Sequence, residues 1–307
     1  MRVVAVDPVV IRPPHAGSLP ATLKVMPILN PFRSFLVVLL CVFAWGLVAA
    51  STTEAATIVF LIGEREYETR ETLPTWAADH LEPLGHRCIF VHALQERPNV
   101  FPGAALIDEA DLLVVSVRRR ALAKDDLDRV RRHLAAGKPL IALRTACHAF
   151  DPKGELPEGS DAWRTFDVDV LGARYDNHLK NGPKSDDPNA ADTATIVDPL
   201  RREAAHAVMA GIPPQPFPSG GTLYRMFDLR ADADLLVNGR ATVEGQTYTF
   251  PVVWVRTTSD GSRILATTLG HRTDFEQPAF RRLLTNGAAW CLGEATGPVA
   301  LRPVRLD

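Results

Sequence analysis

The sequence has few cysteines and almost no excess of charge of either sign, and both shortages limit what the protein can be. It has 4 cysteines in 307 residues, too few for a fold held together by disulfide bonds. Lys and Arg number 34 against 36 Asp and Glu, which gives a formal net charge of -2. A charge so close to zero offers no basic surface for nucleic acid, so we expect no nucleic-acid partner.

The rest of the composition is typical of a globular protein. Hydrophobic residues make up 46% of the chain and charged residues 23%, which excludes a disordered chain, a collagen-like repeat and a long coiled coil. The sequence shows no internal repeat and no clean linker. One large α/β domain is therefore the simplest prediction for the chain beyond its N-terminal segment.

The first 50 residues predict a targeting segment with an N-terminal extension. Residues 34–50 are uncharged and mostly apolar, follow Arg33, and end in Val-Ala-Ala, which is typical of a secretory signal peptide cleaved after Ala50. Met26 is the alternative start of this leader. We expect export to the periplasm or beyond, with no stable membrane insertion after cleavage. An uncleaved anchor is the alternative, because residues 34–53 are just long enough to span a bilayer.

Strand and helix patterns alternate after this segment. Short apolar runs predict four strands, at Thr57–Ile62, Arg87–His92, Asp111–Val117 and Pro139–Ala146. Amphipathic spacing predicts helices over Glu71–Leu84 and Lys124–Ala136. A β-α-β repeat of this kind predicts a parallel sheet with helices on both faces.

The second half of the chain is richer in strands. The predicted strands are Thr193–Val197, Thr222–Phe227, Leu235–Asn238, Tyr248–Val255 and Ile264–Leu269. Glu244-Gly245 and Asp260-Gly261 predict hairpin turns. A last helix is predicted from Glu276 to Leu292, with Asp274 as its cap.

Polar and titratable side chains follow the carboxyl ends of the predicted strands. They are Glu64 and Tyr67 after the first strand, Arg118 after the third, Arg144, Cys147 and His148 after the fourth, and His271 after the last. His178 lies in a long polar loop. Because ligands of open α/β sheets bind beyond the carboxyl ends of the strands, we predict a site at this edge.

Several of these residues have a structural interpretation beside the functional one. Glu64 is a candidate general base, or an acidic residue that favours the start of the following helix. Arg118 is a candidate for binding an anion or hydroxyls, or part of a solvated charge run. Cys147 lies where a nucleophile elbow is expected, but Thr145 and Ala149 occupy positions where an elbow has small residues, usually Gly. Packing under the site is therefore the alternative for Cys147.

Three histidines are candidates for chemistry. If His148, His178 and His271 converge, their imidazoles can perform acid–base catalysis or bind Zn²⁺. Their spacing matches no compact metal motif, so we assign no cofactor and keep zinc as an alternative.

Six segments, in order, resemble a known family. They read IGEREYETRETLP, DLLVVSVRRRAL, GKPLIALRTACHAF, VLGARYDNHLKNG, FPVVWVRT and LGHRTDFEQPAFRRLLTNGAAW, and they run from Ile62 to Trp290. The chain resembles the trehalose-utilisation (ThuA-like) family of the class I glutamine amidotransferase-like superfamily, and is most similar to its secreted, planctomycete-type members.

The resemblance implies a flavodoxin-like three-layer α/β sandwich over residues 57–293, with a mostly parallel sheet, extra C-terminal strands and a tail at 294–307. It also implies a role on trehalose, related glucosides or their keto derivatives. The pocket residues carried over from the family are Arg118, Arg144, His148, His178 and His271. Glutamine hydrolysis is excluded, since the Gly-x-Cys-x-Gly motif is absent, as is a clear His-x-Glu pair in the C-terminal part.

The leading functional prediction is an exported protein that acts on a small carbohydrate, as a hydrolase or as a lyase or isomerase. His148 is the predicted acid or base, with His271 or Glu64 as its partner. The residues predicted to contact the sugar are Arg118, Arg144, His178, Tyr67 and Cys147. The alternatives are a non-catalytic sugar-binding module and a Cys147-dependent, amidotransferase-like hydrolase. A homo-oligomer is left open.

Overall fold

A nine-stranded mixed sheet is the main feature of the computed structural model, which describes residues 55–181, 194–200, 203 and 205–295. The strands are β1 Thr57–Gly63, β2 Arg87–His92, β3 Leu112–Val117, β4 Leu122–Ala123, β5 Leu140–Leu143, β6 Ser160–Asp161, β7 Arg174–His178, β8 Thr195–Pro199, β9 Phe217–Ser219, β10 Tyr224–Phe227, β11 Ala233–Val243, β12 Gln246–Thr257 and β13 Arg263–Thr267. The α-helices are α1 Thr69–His80, α2 Lys124–Ala135 and α3 Pro278–Leu292. The predicted leader lies outside the described residues, as does most of the predicted C-terminal tail.

The large sheet combines a parallel half with an antiparallel half. Its order is β2-β1-β3-β5-β13-β12-β11-β8-β9. The first five strands pair in parallel, and the pairings from β13 onward are antiparallel. This arrangement confirms the predicted α/β class with extra C-terminal strands.

Two apolar cores lie on opposite faces of the sheet. Since successive residues of a strand point to opposite faces, β1 contributes to both. Val59 and Leu61 lie in the core that contains residues of α2, whereas Ile58, Phe60 and Ile62 lie in the core that contains residues of α1 and α3. The predicted three-layer sandwich is confirmed.

The predicted hairpins are also confirmed. Glu244 and Gly245 join β11 to β12, and both have positive φ, 51° and 78°. Two consecutive positive φ values are the requirement of the type I′ turn, whose twist matches that of paired strands. Asp260-Gly261 lies in the connection between the antiparallel strands β12 and β13.

The fourth predicted strand is too long. β5 ends at Leu143, and residues Arg144–His148 form a 3₁₀ helix. Arg144 has a φ of 46°, a left-handed conformation that a strand does not continue through. The sharp strand-to-helix turn is therefore at Arg144, two residues before the predicted strand end at Ala146, and Cys147 is not at the elbow.

The boundaries of the first and last helices also differ from prediction. α1 begins at Thr69 and ends at His80, and a 3₁₀ turn, Glu82–Leu84, follows it. α3 begins at Pro278, a residue favoured in the first turn because it has no N–H to leave unpaired. Asp274 belongs to the preceding 3₁₀ helix, Arg272–Glu276. Among the described residues, no helix has the length and apolar character needed to cross a bilayer.

Candidate functional site

The carboxyl ends of the parallel strands carry a cluster of aromatic, cationic and imidazole side chains. Tyr67 comes from the loop after β1, Arg144 from the turn after β5, and His271 from the segment after β13. A small antiparallel sheet of β7 and β10 adds His178 and Tyr224. The prediction that polar residues collect at this edge therefore agrees with the geometry.

Arg144 lies at the centre of this cluster. It is 2% exposed, and its Nη1 donates to the carbonyl oxygen of Thr268 at 2.8 Å. Its Cζ lies 4.1 Å from the centroid of the Tyr67 ring and 4.7 Å from that of Tyr224, which is cation–π geometry on both rings. Although burial acts to lower the pKa of Arg144, Tyr224, Tyr67 and Asp274 raise it overall. The guanidinium is therefore a permanent buried cation.

The hydroxyl groups of the two tyrosines lie side by side. Tyr67 Oη and Tyr224 Oη are 3.4 Å apart. Burial raises the pKa of Tyr224 well above its usual value, so this phenol keeps its proton. The ring of Tyr175 lies 5.2 Å from that of Tyr224 and extends the aromatic wall along β7.

His148 is buried against this wall. Its ring lies 4.5 Å from that of Tyr175 and 6.1 Å from that of Tyr224. Burial, together with the charges of Arg119, Arg118, Arg144 and His178, lowers the pKa of His148 to about 3. The imidazole is therefore neutral near pH 7 and a weak base.

Cys147 lies directly under His148. Its Sγ is 3.3 Å from Nδ1 of His148, and the side chain is buried. Burial, and the charge of Asp167, raise the pKa of the Cys147 thiol well above its usual value. Because the thiolate is the reactive form, this environment disfavours a thiol nucleophile and fits the packing interpretation.

His271 is held by the short helix that follows it. The backbone N–H of Thr273 donates to His271 Nδ1 at 3.3 Å. Since Nδ1 accepts there, the neutral imidazole carries its proton on Nε2. Burial lowers the pKa of His271, which favours this neutral form. His271 thus offers an N–H donor, and its ring lies 6.0 Å from that of Tyr67.

Asp274 fixes the backbone around His271. The Oδ2 of this buried side chain accepts from the N–H groups of Gly270 and His271, at 2.8 and 2.9 Å. Its Oδ1 accepts from Ser219 Oγ at 2.7 Å and from Gly220 N at 3.1 Å. One carboxylate therefore joins the segment after β13 to the segment before β10.

His178 has the opposite tautomer. Its Nδ1 lies 2.9 Å from the carbonyl oxygen of Leu179. A carbonyl oxygen only accepts, so Nδ1 carries the proton and Nε2 keeps its lone pair in the neutral ring. His178 is exposed and lies 6.2 Å, centroid to centroid, from Tyr224. The cluster is therefore open to solvent on this side, with an imidazole acceptor at its mouth.

Glu64 is engaged in shaping the loop that carries Tyr67. Its carboxylate oxygens accept from the backbone N–H groups of Glu66, Tyr67 and Thr69, at 2.7, 2.8 and 2.8 Å. The Thr69 hydroxyl donates to it at 2.5 Å. These contacts favour the structural interpretation, and a catalytic role for Glu64 stays a prediction.

Arg118 lies apart from Arg144. It pairs with Glu66 at 2.9 Å, with both side chains partly exposed. It also lines a cleft of about 350 Å³ with Lys153, Asn99 and neighbouring residues. Arg144, Tyr67 and Tyr224 do not line this cleft, so Arg118 is a rim residue and its contact with a ligand stays a prediction.

Two glycines make room for the cluster. A Cβ on Gly221 would lie 2.6 Å from Arg144 Cζ, and one on Gly220 would lie 2.5 Å from His271 Nδ1. Both glycines are absent from the residues predicted from the sequence, as are Tyr175 and Tyr224. The signal that was available is the Gly220-Gly221 pair, which lies two residues before the strand Tyr224–Phe227.

The three predicted histidines do not form a metal centre with one another. His148 and His178 lie near Tyr224, whereas His271 lies against Tyr67. Within the described residues, no three His, Cys, Asp or Glu side chains are grouped closely enough to hold a metal ion. The cluster is thus a set of phenols, imidazoles and one cation.

Comparisons with known proteins give a family and a fold. The family model described as ThuA, trehalose utilisation, matches residues 60–291. A putative ThuA-like protein from Parabacteroides merdae has a similar structure, with a TM-score of 0.54 at 16% identity over 80% of this chain and 93% of that one. At this identity the likeness shows the fold alone. None of the curated proteins matches the sequence.

Two further structures show weaker likeness. The mmIFT52 N-terminal domain has a TM-score of 0.47 at 14% identity over 80% of this chain and 100% of that one. The exo-β-1,4-mannosidase Op5Man5 from Opitutaceae bacterium strain TAV5 has a TM-score of 0.39 at 11% identity, over 78% of this chain and 36% of that one. Both are too weak to bear on function.

Proposed function

The chain belongs to the ThuA family of trehalose-utilisation proteins, and on this premise we propose that it is an exported enzyme acting on a small carbohydrate. The substrate class is trehalose, a related glucoside or a keto derivative of one. The observation that supports this most is the Arg144 cluster, in which two phenols and two imidazoles of opposite tautomer surround one buried cation. The proposal of export rests on the leader-like residues 1–50.

The chemistry of the cluster suits a sugar. Ligand sites combine apolar and aromatic walls with a few placed polar groups. The partly exposed rings of Tyr67 and Tyr175 offer flat surfaces for the C–H faces of a sugar ring, with the buried Tyr224 behind them. Their hydroxyls and the nearby imidazole nitrogens offer donors and acceptors for its hydroxyl groups.

The two tautomers assign the proton-transfer roles. Nε2 of neutral His178 can accept a proton as a general base, whereas Nε2–H of neutral His271 is far too weak an acid to give up its proton and donates a hydrogen bond instead. We therefore take His178, rather than His148, as the base, and His271 as the hydrogen-bond donor to a substrate oxygen. His148 is held neutral by its low pKa of about 3, and we assign it to the wall of the site.

A product screen by NMR tests this proposal. The purified protein is incubated with trehalose, other glucosides and their 3-keto forms, and the products are followed by ¹H spectra. We expect turnover of one class, lowered about 10²–10⁴-fold in His178→Gln, because one general base contributes roughly that factor. His206→Gln is the control, since that ring packs on Trp290 of α3 and should leave turnover unchanged.

Other outcomes would overturn the proposal in different ways. Saturable binding without any product would indicate a sugar-binding module. Turnover lost both on iodoacetamide treatment and in untreated Cys147→Ser would indicate the thiol-dependent hydrolase. Neither binding nor product with any of the sugars would contradict the carbohydrate assignment itself.

A further inference from the structure

We propose that the paired hydroxyls of Tyr67 and Tyr224 form an oxyanion-binding site, and that the protein enolises the carbonyl form of a sugar. The proposed step removes a proton from the carbon next to the carbonyl group. The inference rests on the proposed function, because it takes the same cluster as the substrate site and names the reaction class.

The hydroxyl geometry is the first observation. Tyr67 Oη and Tyr224 Oη are 3.4 Å apart and share a hydrogen bond in which either hydroxyl can be the donor. When both O–H groups turn to a ligand, one ligand oxygen can accept hydrogen bonds from both at normal distances. Two fixed donors that converge on one oxygen are the defining arrangement of an oxyanion hole. The two rings are held in place because each packs on the guanidinium of Arg144.

The charge of Arg144 is the second observation. None of the ion pairs between described residues involves Arg144, and its buried Nε has no hydrogen-bond partner among them. Asp274 favours the charge of Arg144 without forming an ion pair with it, since its oxygens accept hydrogen bonds from Ser219 and from the backbone. A buried cation that lacks an ion-paired carboxylate is unfavourable, and a negative oxygen at the neighbouring hydroxyl pair would pair with it. A neutral sugar hydroxyl would not. The cation therefore favours a ligand oxygen that becomes negative during the reaction.

Backbone strain is the third observation. Within the described residues, five non-glycine residues have positive φ, and three of them, Glu68, Arg119 and Arg144, lie after strands β1, β3 and β5 at this edge. Such conformations are strained in residues with a side chain and concentrate at functional sites. The strained residues Glu68 and Arg144 lie in the segments that position Tyr67 and the Arg144 guanidinium.

The step balances without an oxidant or reductant. Nε2 of His178 takes the proton from the carbon beside the carbonyl, and the C–H electron pair becomes the new C=C bond. The carbonyl π pair moves to oxygen, which accepts hydrogen bonds from the two phenols. The imidazolium then returns its proton to the same carbon, which gives back the substrate. If it protonates the former carbonyl carbon instead, the hydroxyl on the deprotonated carbon passes its proton to the enolate oxygen and becomes the new carbonyl group, which gives an isomer. His271 Nε2–H hydrogen-bonds an adjacent substrate oxygen.

Deuterium exchange tests the inference. 3-Keto-trehalose is incubated with the purified protein in D₂O, with trehalose as the analogue that lacks a carbonyl and an enzyme-free sample for background exchange. We expect ¹H signals beside the carbonyl to disappear at a rate above background, and those of trehalose to persist. Tyr67→Phe and Tyr224→Phe should each slow this exchange about 10²–10³-fold through kcat, with KM changed less than about threefold.

A matched control is available in the remaining tyrosine. Tyr248 lies on β12 and donates to Gln246, so Tyr248→Phe should exchange at the wild-type rate. Exchange that is equally fast in all three Phe variants would overturn the oxyanion site. Conversion of the keto-sugar without deuterium uptake would overturn enolisation and leave the proposed carbohydrate activity standing. Absence of both binding and conversion would overturn the two proposals together.

Discussion

Replacing Arg144 with methionine is expected to lower turnover about 10²–10³-fold, the factor typical for the loss of one stabilising group at an oxyanion. Methionine fills a similar space between Tyr67 and Tyr224 but brings no charge. The free energy of unfolding should change by less than about 2 kcal/mol, because no ion-paired carboxylate loses its partner. The hydrogen bond to the Thr268 carbonyl is lost, as are the cation–π contacts with Tyr67 and Tyr224. The measurement pairs kcat with urea denaturation of the same variant.

Arg144→Met should also shift the pH profile of kcat/KM. Burial is the main cause of the low pKa values of His148 and His271, and the charge of Arg144 lowers both further. Without that charge both pKa values rise. Because His271 works as a neutral N–H donor, activity is lost as the pH falls through its pKa, so the acidic limb of kcat/KM moves to higher pH.

The pH shift separates a positioning role from simple damage to the fold. Arg240→Met is the control, because this exposed arginine pairs with Asp198 on the antiparallel half of the sheet. It should leave both kcat and the acidic limb where they are. An Arg144→Met protein with a wild-type profile and wild-type kcat would contradict the role given to the cation.

Replacing Gly221 with alanine is expected to have the second large effect. The added Cβ would lie 2.6 Å from Cζ and Nη2 of Arg144, well inside van der Waals contact. The guanidinium cannot swing aside, since it lies between the rings of Tyr67 and Tyr224. We expect turnover to fall at least about 10²-fold with the loss of the Tyr pair's geometry. Overpacking of this kind should also lower the free energy of unfolding by about 1–3 kcal/mol.

A second glycine separates the loss of activity from the loss of stability. Gly261 has a φ of +88° and nothing within 4 Å of an added Cβ, so Gly261→Ala should be destabilised only by backbone strain, about 1 kcal/mol. Its turnover per folded molecule should equal that of the wild type. If Gly221→Ala also kept wild-type turnover when corrected for the folded fraction, the packing around Arg144 would not matter for function.

The buried strands of the parallel half are readable from the sequence. The strand predicted at Arg87–His92 has the same bounds in the structure, and those predicted at Thr57–Ile62 and Asp111–Val117 differ by one residue at one end. Continuous apolar runs give this result because strands buried on both faces need apolar residues at every position. The end of β5 could not be predicted in the same way, because a run of apolar residues does not indicate that Arg144 adopts a left-handed φ.

The sequence predicts where the site lies but only some of the residues that form it. The rule that ligands lie beyond strand ends leads directly to Tyr67, Arg144 and His271. It does not lead to Tyr175 or Tyr224, because β7 is a short and mostly exposed strand without an apolar alternation. Its pairing with β10 is a tertiary contact between segments far apart in the chain.

The roles within the site also depend on contacts that the sequence does not encode locally. A carboxylate after a strand indicates a candidate base, but the lone pairs of Glu64 are directed to the backbone of its own loop. Which imidazole nitrogen is free depends on the contacts of Nδ1, which lies against the N–H and hydroxyl of Thr273 in His271 and donates to the Leu179 carbonyl in His178.

The measurement that tests the central claim most directly is a long-range ¹H–¹⁵N spectrum of the histidine rings, recorded between pH 5 and 8. The account predicts that neutral His178 carries its proton on Nδ1, that neutral His271 carries it on Nε2, and that His148 stays uncharged over the whole range. It also predicts that a bound keto-sugar shifts the Nε2 signals of His178 and His271. The same tautomer at His178 and His271, or a His148 that titrates near pH 6, would contradict the account.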